Sequence, residues 1–198
     1  MKVKLSRGRC AALVTDVQEV FASPDGPFAN TGAGAMIDAL NAFLPACRNA
    51  GLPVVFSNYV LRSDLADAGL LADLPAVQQG FLSDGSPWIE VDRRLHLEAG
   101  DIETAHNRPS AFYGSELDAL LSSLGADTLI LCGLSVNNAV SATARDAFAR
   151  DIPTVVVRDC VGPAPFEPAE LLDVYFDVLD TWTAEVAFSR EVVRRLTA

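Results

Sequence analysis

Thr128–Phe148 reads TLILCGLSVNNAVSATARDAF, and the fold follows from it. The apolar run Leu129–Cys132 is short and bounded by a glycine, the pattern of a buried strand. Gly133 ends it, Leu134–Asn138 make a turn, and Ala139–Arg150 place small or apolar residues along one side of a helix. A strand, a turn and a helix in that order form half of a parallel β-α-β unit. In parallel sheets the turn after a strand is where ligands bind.

The same alternation extends in both directions. Upstream, Cys10–Val14 is an apolar run that stops at Thr15-Asp16, so an acid stands at the carboxyl end of a first strand. Val17–Phe21 continues as a loop or short helix, and Ser23–Gly34, rich in Pro, Gly and Asn, reads as a surface loop. Ala35–Ala50 carries Met36, Leu40, Phe43, Leu44 and Cys47 at helical spacing and closes at Gly51. Pro53–Ser57 is a second strand. Asn58–Pro87 is the least regular stretch, an excursion with a short helix that covers the site. Ile102–Ala105 is a weak third strand ending at His106. Ser115–Leu124 is a helix on which Ser115 and Asp118 resemble a capping box.

Downstream, Pro153–Val157 is a β-branched strand and Pro163–Pro168 a Pro-rich loop. Glu170–Trp182 is an amphipathic helix, and Ala184–Leu196 a short strand followed by a helix. Strands alternating with helices predict an α/β fold, a parallel sheet covered on both faces. No repeat or long linker divides the chain, so residues 1–198 read as a single domain. Right-handed crossovers bring the strand carboxyl ends to one edge. Asp16, Asn58–Arg62, His106 and the Gly133–Ala139 turn all fall there.

Bulk properties narrow the partners. Half of the 198 residues are hydrophobic, which excludes disorder. A formal net charge of −11 argues against nucleic acid and anionic membranes. The basic N-terminus lacks the apolar core of a secretory signal, and no apolar segment has the length of a membrane span. Cys10, Cys47, Cys132 and Cys160 form no CxxC pair and read as small buried hydrophobes of a reducing cytoplasm. With two histidines remote from any cysteine pattern, no zinc site is expected.

Three stretches carry a resemblance: ALVTDVQEVF at Ala12–Phe21, RPSAFYGSELDALLSSLGADTLILCGLS at Arg108–Ser135, and ATARDAFARDIPTVVVRD at Ala142–Asp159. Together they resemble the isochorismatase-like hydrolases, which include the cysteine amidohydrolases such as nicotinamidase. The resemblance implies a Rossmann-like three-layer sandwich with a six-stranded parallel sheet, and a homodimer or homotetramer. It also implies a catalytic Asp, Lys and Cys. The Asp position matches Asp16. The Lys position, four residues before Ser110 of the SAF motif, holds His106, and the Cys position, six residues after Gly133, holds Ala139. True isochorismatases also lack the Cys but keep the Lys. The metal-binding Asp-x-His of nicotinamidases has no counterpart in Asn58-Tyr59-Val60, so no metal and no other cofactor is expected.

Weighed residue by residue, Asp16 is a carboxylate in a pocket able to move a proton near neutrality, or a cap of the following turn. His106 titrates near neutral pH and pairs naturally with an acid, or is a satisfied polar histidine. His96 reads as a surface residue. Ala139 removes the thiol route. An engineered Cys-to-Ala change would explain that position but not His106, so natural divergence is the preferred account. Cys132 and Cys160, in and beside strands, are not expected to replace the thiol. The turn's amides, with Ser135, Asn137 and Asn138, are candidates to hold a carbonyl or carboxylate oxygen. Phe21, Tyr59, Arg62, Trp88, Leu134 and Ala139 are candidates for the pocket wall.

The expectation is an enzyme acting on a small carboxylated or amide-bearing metabolite by acid–base chemistry without a thiol. Isochorismatase-type vinyl-ether hydrolysis is its nearest analogy. The alternative is a family member that binds ligand or serves as a scaffold without turnover.

Overall fold

The computed structural model describes residues 2–163 and 171–197. Its strands are β1 (Cys10–Thr15), β2 (Val54–Tyr59), β3 (Ile102–His106), β4 (Thr128–Gly133), β5 (Thr154–Val161) and β6 (Glu185–Ala187). They form one sheet in the order β3-β2-β1-β4-β5-β6, with every pairing parallel. The helices are α1 (Glu19–Ala22), α2 (Ala33–Asn49), α3 (Pro75–Gln78), α4 (Leu117–Ser123), α5 (Ser141–Ala149), α6 (Leu171–Trp182) and α7 (Ser189–Thr197).

The central strands are apolar throughout because both faces are covered, and the two faces divide their residues by the two-residue period of a strand. Ala12, Val14, Ile130, Cys132, Val155 and Val157 point into a core completed by Met36, Leu40 and Phe43 of α2 and by Val192 and Leu196 of α7. Ala11, Leu13, Leu129, Leu131 and Val156 point the other way, onto Leu117 and Leu121 of α4, Ala144 and Ala147 of α5, and Phe176 and Leu179 of α6. This is the three-layer arrangement expected.

Several boundaries differ from the sequence reading. β2 runs on to Tyr59, because Gln18, fully buried after β1, holds its end. The Gln18 carboxamide accepts from the Tyr59 amide (2.7 Å) and donates to the carbonyls of Tyr59 (3.1 Å) and Ile89 (2.7 Å). The excursion after β2 folds into a 3-10 turn at Gly69–Asp73 followed by α3. No capping box starts α4. The Ser115 hydroxyl donates to the Ala111 carbonyl (2.6 Å) and accepts from the Leu117 amide (3.3 Å), and the residue before the helix makes no side-chain cap. The helix after β4 begins earlier than expected, as a π-turn over Val136–Val140 that leads into α5. From residue 164 the Pro-rich loop lies outside the described residues, as does Glu170.

All four cysteines are free and buried on the α2 side of the sheet. Burial pushes the Cys47 thiol up to about 12 and that of Cys132 well above its ordinary value, so neither supplies a thiolate. Among the described residues no helix is long and apolar enough to cross a membrane. Leu171, Val174, Val178 and Trp182 form an exposed apolar row along α6.

Candidate active site

Chain connections diverge from the centre of the sheet. β1 leads outward to β2, β4 leads the other way to β5, and the crevice between their carboxyl ends is the switch point where open α/β sheets bind ligands. Asp16 and the turn after Gly133 lie on either side of it. Gly133 is required there. Its φ is 112°, and a Cβ on it would lie 2.1 Å from the Thr15 carbonyl oxygen and 2.6 Å from the Thr15 nitrogen. The close approach lets the Leu134 amide donate to the Thr15 carbonyl (2.9 Å) and the Thr15 hydroxyl donate to the Cys132 carbonyl (3.2 Å). The peptide from Leu134 to Ser135 is cis.

Asp16 leaves β1 with φ at 57°, a left-handed conformation that Asp tolerates better than most side chains. This turns its carboxylate toward β3. There Oδ1 lies 2.8 Å from Nε2 of His106, across 90 residues of sequence. The His106 side chain is fully buried and that of Asp16 is 7% exposed. Nδ1 of His106 faces the Arg108 carbonyl at 2.5 Å. A carbonyl only accepts, so Nδ1 carries a proton. The contact between Nε2 and Asp16 then holds one further proton, either as imidazolium with carboxylate or as neutral imidazole with carboxylic acid. Burial raises the Asp16 pKa, opposed by the attraction of His106. Burial also pulls His106 down, but the charge of Asp16 and the hydrogen bonds to Asp16 and Arg108 more than offset it, and its pKa is raised. The two titrate as one unit. The Tyr59 ring meets the imidazole edge-on, with centroids 5.2 Å apart.

A cavity of about 550 Å³ opens on Asp16. Of the wall residues named from sequence, Phe21, Tyr59, Leu134, Ser135 and Asn138 line it together with Asp16. His106 does not. It sits behind the wall, in contact with the Asp16 carboxylate and the Tyr59 ring. Arg62, Trp88 and Ala139 also stay off the wall. Arg62 is exposed and bound by Asp64, two residues away (2.6 Å). Trp88 packs against the apolar cluster around Tyr59, Leu61 and Leu82. Ala139 is fully buried inside the π-turn.

Sequence reasoning missed Phe28, Asn30 and Pro109; within the excursion expected to cover the site it noted the Leu-rich patch at Leu70–Leu74, which supplies Leu71 and Leu74, but not Val77 and Leu82. The apolar residues among them carried a signal, being hydrophobic side chains in irregular segments with no sheet face to occupy. The turn's backbone is less available than expected. The amides of Leu134, Val136, Asn138 and Val140 donate to the carbonyls of Thr15, Gly162, Ser135 and Ser135. Asn138 keeps an exposed side chain at the cavity, and Ser135 donates its hydroxyl to the Asn137 side chain (2.7 Å). Among the described residues no three His, Cys, Asp or Glu side chains gather as a metal-ligand set.

The family model of the isochorismatase domain matches residues 10–171. Maleamate amidohydrolase of Pseudomonas putida is 29% identical over 175 residues, which cover 85% of this chain and 82% of that protein. The crystal structure of a cysteine hydrolase from Pseudomonas syringae pv. phaseolicola superposes with a TM-score of 0.93 at 24% identity, covering 99% of this chain and 96% of the other; at that identity the likeness is one of fold. N-carbamoylsarcosine amidase from Thermoplasma acidophilum shares 28% identity at a TM-score of 0.73, over 91% of this chain and 96% of its own.

Proposed function

The chain belongs to the isochorismatase family, and on that premise we propose that it hydrolyses an amide-type C–N bond of a small molecule, with water as the nucleophile and Asp16 as the proton carrier. The observation that carries this reading is the 2.8 Å contact between Asp16 and His106 at the edge of the cavity. The resemblance places a lysine where His106 stands. An imidazolium of raised pKa keeps a cation at that position near neutrality, and a cation beside Asp16 keeps it a carboxylate able to take a proton.

In the proposed step the Asp16 carboxylate accepts a proton from water as the water oxygen bonds the carbonyl carbon. The carbonyl π electrons move to its oxygen, which the Asn138 carboxamide at the cavity is placed to receive. Asp16 then passes the proton to the leaving nitrogen, the oxygen's electron pair re-forms the carbonyl as the C–N bond breaks, and a carboxylic acid and an amine or ammonia leave. His106 is a positioning residue, because it holds Asp16 and supplies charge without reaching the cavity. The named relatives favour C–N cleavage over the vinyl-ether chemistry considered from sequence.

The test is ammonia release from a panel of primary amides by the parent, Asp16→Asn and His106→Gln. The reading expects turnover that Asp16→Asn abolishes and His106→Gln lowers mainly in kcat. A methyl group at Ala139 favours a second reading, ligand binding without turnover. Amides that raise the Tm equally in parent and Asp16→Asn, with no ammonia from either, support that reading and remove the first.

A further inference from the structure

We propose that the cavity takes an uncharged ligand with a compact apolar body, its polar end toward Asp16, and rejects amides that carry a carboxylate. The orientation rests on the hydrolytic reading above; the ligand class rests on the wall alone. Phe21, Phe28, Leu71, Leu74, Val77 and Leu82 make one side of that wall. Phe21 and Phe28 stack at 6.0 Å and Phe28 meets Phe81 edge-on at 6.4 Å, so the aromatic part is braced from behind. The wall also holds polar groups, of which Asp16 and the exposed Asn138 offer hydrogen bonds, while Asn30 is bonded to Gly32 and Pro163.

Among the described residues, none that lines the cavity is Lys or Arg. Arg108, the nearest guanidinium, acts on the Tyr59 side chain from outside the wall and donates to the Asp67 carbonyl (2.6 Å); Arg62 is paired with Asp64, and Arg94 with the buried Asp92 (2.8 Å). Residues 164–170 read APFEPAE and contain two glutamates and no cation. The pair formed by Asp16 and His106 holds one shared proton and is neutral as a unit, and the formal net charge of the chain is −11. A carboxylate entering this space loses its water and meets no cation in the wall, which is costly. Maleamate, named in the Pseudomonas putida relative, is such a carboxylate. Ligand charge would therefore separate this chain from that relative.

The test compares two amides of equal length, hexanamide and the adipamate anion, in which the terminal methyl becomes a carboxylate. Binding is read as the rise in Tm at millimolar ligand, and turnover as ammonia release. The expected result is a Tm rise with hexanamide, none with adipamate, and a preference in kcat/KM on the order of 100-fold. Leu74→Arg, at a half-exposed wall position, is expected to narrow that preference roughly tenfold by supplying the missing cation. A parent protein that binds adipamate as well as hexanamide, or binds neither, overturns the ligand class. Selective binding of hexanamide without ammonia release sinks the hydrolytic reading and leaves the ligand class standing. Turnover that favours adipamate does the reverse.

Discussion

His106→Ala strands a buried acid, and the cost of doing so depends on pH in a direction the structure fixes. In the parent, Oδ1 of Asp16 has the imidazole at 2.8 Å, and the carboxylate side chain is 7% exposed. Removing one partner of a buried pair costs about 3–5 kcal/mol, because the remaining charge is neither solvated nor matched. Asp16 escapes by keeping its proton. Burial already raises its pKa against the pull of His106, and without His106 it rises further. A carboxyl that binds its proton more tightly in the folded state than in the unfolded one loses stability as pH rises from about 3.9 through its folded pKa.

The loss is at most about 1.4 kcal/mol per pH unit over that range. Adding Asp16→Asn removes the titrating group, and Asn also tolerates the left-handed backbone at this position. The double variant is therefore expected to match His106→Ala near pH 4.5 and to exceed it by a margin that grows as pH rises to 6.5. Urea denaturation of both variants at the two pH values measures the gap. A gap that stays constant, or that shrinks as pH rises, refutes the claim that His106 is what makes an ionised Asp16 tolerable.

Three further outcomes follow from the same geometry. Activity should fall on the alkaline side as His106 loses its proton above the ordinary imidazole value, and His106→Lys should carry that fall to higher pH; a profile unmoved by the lysine argues against a charge role for His106. Iodoacetamide should leave the parent's activity unchanged, because its four cysteines are buried and none lines the cavity; activity lost on alkylation with the fold intact argues for a thiol route instead. Gly133→Ala places a methyl 2.1 Å from the Thr15 carbonyl oxygen at a φ of 112° and should cost more than about 4 kcal/mol or prevent folding, read as loss of the cooperative thermal transition.

The amino-acid sequence by itself determined the layers. Runs such as Leu129–Cys132 and Val155–Val157 are apolar at every position because they are buried on both faces, as the strands of a sheet between two helical layers are. Asp16 and Gly133 were legible for the same reason, since each directly follows a run that can only be a strand. Their meaning at the crevice depended on strand order, which tertiary structure supplied.

His106 stands on β3, two strands away from β1. Strand spacing puts their backbones about 10 Å apart, and the contact forms because both side chains lean inward over the end of β2. No spacing in the chain encodes that. The cavity wall was the least legible part. Asn58–Pro87 has neither a two-residue nor a 3.6-residue period, so nothing local told the inward Leu71 and Val77 from the outward Arg62, whose charge is satisfied by Asp64 rather than by a ligand. Periodicity reports which face of an element is buried; the position of an irregular segment is fixed only by what it packs against, and that is known once the chain has folded.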